Sequence, residues 1–104
     1  MKRFDVWLVN LDPTIGSEIK KTRPAGIVSP DELNIHLQTV IVVPLTTGRE
    51  YPFRPTTRFQ KKTGVAAVDQ IRTVDKRRLV KRVGKLGLDD TAQLLAALAE
   101  LFAK

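Results

Sequence analysis

The stretch QTVIVVPLTT, residues 38–47, constrains the fold more than any other part of the chain. From Val40 to Leu45 it is apolar without a break, so it shows neither the 3.6-residue period of a surface helix nor the alternation of a half-exposed strand. A short run of this kind, rich in β-branched residues, is the pattern of a strand buried on both faces. It is expected to be central in a sheet.

The remaining segments sort around that strand. FDVWLVNL (4–11) reads as a first strand closed by the turn at Asp12-Pro13. Residues 12–23 have no clean period, carry Gly16 and end before Pro24, which biases Arg23 towards an extended backbone. They read as a long loop. AGIVS (25–29) reads as a strand, and SPDELN as one helical turn with Ser29 as its cap and Pro30 at the first helical position. Residues 48–56 hold one Gly and two Pro and read as a second long loop, of the sort that carries function. TRFQ around Phe59, VAAVDQIRTV (65–74) and LVKRVGKL (79–86) supply three more strands, with VDKRRL as a helical turn between the last two. The end of the chain, from an Asp89 cap, places Leu94, Leu95, Leu98, Leu101 and Phe102 on one stripe of an amphipathic helix. Five or six short strands, a terminal helix and no βαβ alternation predict a mainly β, largely antiparallel small barrel, a single domain over 1–104.

Charge narrows the partners. The formal net charge is +7, concentrated in 49–62 and above all in 72–85, where seven basic residues stand against Asp75 alone. Such a body favours a polyanion, because each phosphate neutralised releases counterions; a merely solubilising face is the plain alternative. The absence of cysteine excludes disulfides and thiolate chemistry, and His36 alone cannot build a usual zinc site, so no metal and no cofactor are expected. VWLV is broken by Asp5 and Asn10, which fits neither a signal peptide nor a membrane span, and the cytoplasm is the expected location. No G-x-S-x-G surrounds Ser17 or Ser29, and the glycines are isolated, so triad hydrolysis and nucleotide-binding loops drop out.

What remains are groups suited to holding phosphate: Arg23 before Pro24, the hydroxyls of Ser17, Thr46 and Thr47, and the basic loops. They also suit RNA cleavage by the ribose 2′-hydroxyl, which needs a neutralised phosphorane and a protonated leaving oxygen.

DVWLVNLDPTIGSEIKKTRPA, VSPDELN, TVIVVPLT and VDQIRTVDKRRLVKRVGKL occur in the order and spacing of the MazF/PemK toxin endoribonucleases, which the chain resembles from about Asp5 to Leu86. The resemblance implies an SH3-like, partly open barrel that forms a homodimer. It also implies metal-independent cleavage of single-stranded RNA to 2′,3′-cyclic phosphate and 5′-hydroxyl ends, with an antitoxin whose acidic tail competes for the RNA groove. Arg23 and Thr46 match the family's catalytic pair, and Ser17, Glu18 and Gln70 match positions near RNA; Thr47, beside Thr46, is a further expected RNA contact. Structural roles stand beside these: Arg23 paired with Glu18, and Thr46 closing a strand. Tyr51 and Phe53 either stack on unpaired bases or pack on the barrel. Two positions depart from the family pattern. Phe4 stands where glycine is usual, which puts the path of the first strand in question, and Gly26 replaces a bulky aliphatic, which would loosen its strand edge. Two other functions compete: a DNA gyrase poison of the CcdB type, whose terminal Trp-Gly-Ile is missing here, and a barrel that binds nucleic acid without cutting it.

Overall fold

The doubly apolar run becomes β3, Thr39–Thr46, in a computed structural model that describes all 104 residues. Both its faces are buried. Val40 and Val42 enter one core cluster with Val9, Leu11, Ala25, Ile27 and Val74, while Val43 and Leu45 enter another with Val6, Val28, Ala66, Val68, Leu86, Leu94 and Ala97. The two-residue period of the strand divides the run between them.

Every strand pairing is antiparallel. β1 (Asp5–Asn10), β2 (Thr22–Ile27), β3, β4 (Thr56–Phe59), β5 (Lys62–Ala66), β6 (Arg72–Asp75) and β7 (Leu79–Lys85) form a sheet in the order β4-β5-β3-β2-β1-β7, with β6 pairing β3 beside β5. The result is a partly open antiparallel barrel, capped by the helix α2, Leu88–Phe102. No helix is long and apolar enough to cross a membrane.

The expected strand over 65–74 is two strands. β5 pairs the end of β3 (Leu45 with Ala66), β6 pairs its beginning (Val42 with Arg72), and the 3₁₀ turn Val68–Gln70 carries the chain between them. Tertiary pairing broke a locally uniform segment. β2 begins at Thr22, ahead of the expected 25, because Pro24 stands opposite Leu8 of β1 and before the first β3 pairing at Ala25. There the missing proline N–H interrupts no ladder on the β3 side.

Ser29 does not cap α1 (Asp31–His36), whose cap is Pro30. Buried at the core edge, it donates its hydroxyl to Asn34 Oδ1 at 2.5 Å and accepts Ile41 N at 3.0 Å. The cap of α2 is likewise Gly87, with Asp89 and Asp90 in the first turn beside its positive dipole end. Of the expected stripe, Leu94 is buried and Leu98 partly so, and Thr91 and Ala97 complete the packed face, whereas Leu95, Leu101 and Phe102 remain exposed. The helix touches the barrel along the Thr91–Leu94–Ala97–Leu98 line, a narrower face than the apolar residues allow.

Phe4 takes the left-handed backbone that glycine would adopt freely, with φ 69°. Its N–H bonds Ile27 O at 2.6 Å and its carbonyl accepts Leu86 N at 3.0 Å, so the path into β1 is kept against the strain. Gly26 loosens nothing: β2 is interior to the sheet, and the Leu86 methyl lies 3.2 Å from where a Gly26 Cβ would be.

Candidate active site

β2 and β3 meet at Ala25–Pro44, Gly26–Val43 and Ile27–Val42. Carried two residues further, this register sets Arg23 opposite Thr46, at the open mouth where the two strands no longer pair. Residues opposite one another in an antiparallel pair share a face. Arg23 is exposed and donates Nε to Lys20 O at 3.2 Å. The alternative role for it, a pairing with Glu18, does not form. Glu18 accepts Ile15 N at 2.5 Å instead, closing its own loop, and no ion pair holds the Arg23 guanidinium. Thr46 is half-buried at the end of β3, opposite Val65. Gly64 supports it from behind: a Cβ there would stand 2.6 Å from Thr46 O. Thr47 follows, exposed.

The loop before β2 is tightly tied for a segment without regular structure. Asp12 Oδ1 accepts Lys21 N at 3.1 Å and Thr14 Oγ1 at 3.2 Å, and Leu11 N bonds Lys21 O at 3.0 Å. Arg72 donates Nη1 to Leu11 O at 3.1 Å, and Arg78 donates to the carbonyls of Asn10 and Asp12. Gln70 reaches across from the 3₁₀ turn, accepting Ile19 N at 2.6 Å and donating Nε2 to Ser17 O at 3.4 Å. Between loop and turn opens a cleft of about 610 Å³, lined by Ser17, Glu18, Gln70, Pro44 and Arg72. Three of the residues matched to RNA contacts, Ser17, Glu18 and Gln70, therefore line one cleft, and Arg72 adds a cation to its wall.

Tyr51 and Phe53 belong to neither core cluster. Their rings stack on each other, 5.3 Å apart and 2° from parallel, with 42% and 43% of each residue exposed. Arg49 lies 5.7 Å over the Tyr51 ring. Arg54 leaves this loop to grip Asp69, Nε to Oδ1 at 2.8 Å and Nη2 to Oδ2 at 2.9 Å. That bidentate bond holds the Asp69 carboxyl below its ordinary range and raises Arg54. His36 sits exposed at the end of α1, before the opposite end of β3 from Thr46.

The basic segment 72–85 is only partly a free face. Arg77 and Arg82 pair with Asp75 and Asp5, whereas Arg72, Lys76 and Arg78 donate to carbonyls, which secures their position and leaves their charge. Arg54, Gly64, Asp69 and Arg72 were not singled out as site residues by their sequence context. Of these, Asp69 stands next to Gln70 in DQ, and Arg72 two places on, so the motif that marked Gln70 carried a local signal for both.

The family of "PemK-like, MazF-like toxin of type II toxin-antitoxin system" matches residues 2–102. The chain is 35% identical to the endoribonuclease MazF9 of Mycobacterium tuberculosis, over 94% of this chain and 92% of that one. It is 41% identical to the endoribonuclease PemK of Escherichia coli, over 72% of this chain and 61% of that one. Among solved structures it is similar to MazF from Deinococcus radiodurans, with a TM-score of 0.86 at 26% identity, covering 97% and 94% of the two chains. An endoribonuclease from a mycobacterial species, solved with its cognate antitoxin, gives 0.81 at 26% identity, covering 96% and 92%.

Proposed function

The chain belongs to the PemK-like, MazF-like toxin family of type II toxin–antitoxin systems, and from that membership we propose that it cuts single-stranded RNA at the mouth between β2 and β3, with Arg23 and Thr46 as its catalytic residues. It is a toxin endoribonuclease, and its effect on the cell is to stop translation by destroying messenger RNA. The observation that carries the reading is the register that projects Arg23 opposite Thr46, beside a cleft edged by Ser17, Glu18 and Gln70.

The chemistry follows from what those groups can do. The ribose 2′-oxygen attacks the adjacent phosphorus and loses its proton, the bond from phosphorus to the 5′-oxygen breaks, and that oxygen gains a proton. The products are a 2′,3′-cyclic phosphate and a 5′-hydroxyl. Arg23, held in no ion pair, stabilises the phosphorane and donates to the leaving oxygen. Thr46 holds the scissile phosphate through its hydroxyl, with Thr47 beside it. The stacked Tyr51–Phe53 pair offers an aromatic face to unpaired bases.

The mycobacterial endoribonuclease is solved in complex with its cognate antitoxin. By the same logic this chain acts as a cytoplasmic homodimer and is silenced by an antitoxin whose acidic segment occupies the basic surface that otherwise takes RNA. Gyrase poisoning loses its ground, since the named relatives are endoribonucleases.

The test is incubation with a long unstructured RNA under chelation, followed by analysis of the fragment ends. Cyclic phosphate ends are expected, with a loss of about 100-fold or more in Arg23→Ala, the scale of removing one preorganised stabiliser of transition-state charge. Binding without fragments would instead establish a non-cleaving nucleic-acid barrel.

A further inference from the structure

We propose that Arg54 and Asp69 form a latch that holds the aromatic loop 47–55 against the RNA cleft, making both positioning residues for substrate binding. The proposal rests on the ribonuclease reading above. Its starting point is a mechanical problem. The segment from Thr47 to Pro55 has no regular structure beyond a Tyr51–Arg54 bridge, and exposes two aromatic rings at its tip. A loop of this kind is mobile unless something ties it down, and a mobile stacking surface binds bases poorly because ordering it consumes part of the interaction.

Arg54 is the one side chain of this loop that hydrogen-bonds outside the loop and its flanking strand. Glu50 reaches only Thr56 at the start of β4, whereas Arg54 makes the fork-to-fork bond to Asp69. Asp69 is a firm anchor. It belongs to the 3₁₀ turn Val68–Gln70, whose Val68 is fully buried in the core and whose preceding Ala67 donates N–H to Pro44 O at 2.9 Å. The next residue, Gln70, ties the other loop through Ile19 and Ser17. Two adjacent side chains of one rigid turn therefore set the aromatic pair on one side and the Ser17–Glu18 rim on the other. The same geometry argues against a chemical role for Asp69. Both its oxygens are occupied by Arg54, and its carboxyl is held below the ordinary range, far from the near-neutral value that suits a general base.

A double-mutant cycle on the full chain tests this, using Arg54→Ala, Asp69→Ala and the double variant on an RNA oligonucleotide spanning one mapped cleavage site. Each single variant is expected to raise KM about fivefold, the equilibrium counterpart of one exposed bidentate pair. The double variant should do no worse than either single, and kcat should stay within about twofold of wild type. Amide hydrogen exchange at Tyr51, whose N–H bonds the carbonyl of residue 54 and which reads the latch without any cleavage, should quicken equally in all three. If Asp69→Ala lowers kcat while Arg54→Ala does not, Asp69 takes part in the chemistry and the proposal is wrong. Wild-type KM and wild-type exchange in both single variants would also overturn it. Failure of the wild type to cut RNA, with faster exchange in the variants, would leave the latch standing and remove the ribonuclease reading.

Discussion

Gly64→Ala should harm this protein out of proportion to the one methyl group it adds. The new Cβ would stand 2.6 Å from Thr46 O, about 0.7 Å inside the ~3.3 Å at which carbon and a carbonyl oxygen ordinarily meet. The obstacle is backbone of β3, buried on both faces and paired with β2, β5 and β6, so it cannot swing aside as a side chain would. Overpacking of this kind costs about 1–3 kcal/mol, which in a chain of this size lowers Tm by at least about 4 °C. Relief by sliding β5 moves Thr46, the residue we propose as catalytic, and sub-ångström misplacement there is expected to cost about tenfold or more in kcat. Gly26→Ala is the matched control. Its Cβ would meet only the Leu86 Cδ1 methyl at 3.2 Å, a flexible end that yields, and alanine recovers about 0.5–1 kcal/mol of backbone entropy in a strand. Thermal melts of both variants, with cleavage rates on one RNA, provide the comparison. Equal melting temperatures and a wild-type rate for Gly64→Ala would refute the claim that β5 is held against the Thr46 carbonyl.

Two further predictions concern stability. Phe4→Gly should be more stable than Phe4→Ala by about 1 kcal/mol, because φ 69° strains any residue with a Cβ; denaturant titration showing the usual strand order, alanine above glycine, would contradict it. Asp5 is buried, which pushes its carboxyl up, but the Lys2 N–H at 2.9 Å and Arg82 at 3.2 Å outweigh this and hold it below the ordinary range. A depressed carboxyl contributes stability above its unfolded value of about 4 and loses it as pH falls through the folded value. The stability gap between wild type and Asp5→Asn should accordingly be widest near neutrality and close in acid, and a gap independent of pH in urea titrations would count against the pairing.

The residues proposed as the site are reached through the family resemblance, and the motifs that carry it sit next to proline. T-R-P and P-L-T mark strand ends, where side chains escape the ladder and reach solvent. The partners of those side chains were not legible. Glu18 serves its own loop through Ile15 N, Gln70 ties a segment 51 residues away, and Asp69 is claimed by Arg54. The hairpin between β4 and β5 turns on Gln60 and Lys61, both at positive φ, without the Gly or Asn that would have announced it.

By itself the sequence determined which segments carry apolar area that has to be covered. An apolar run without a period must be covered on both faces, and a helical stripe must lie against something, because water penalises apolar area whatever the topology. Only the tertiary structure decided which groups meet. It split 65–74 between the two ends of β3, spent Ser29 on Asn34 rather than on a helix cap, left Leu95, Leu101 and Phe102 uncovered, and carried Phe4 into a glycine's conformation. Hydrophobicity is a property of residues one at a time and is written in their order, whereas how much of it is covered depends on packing. A hydrogen bond or a strained angle is set by two segments brought together, and one segment read alone does not contain it.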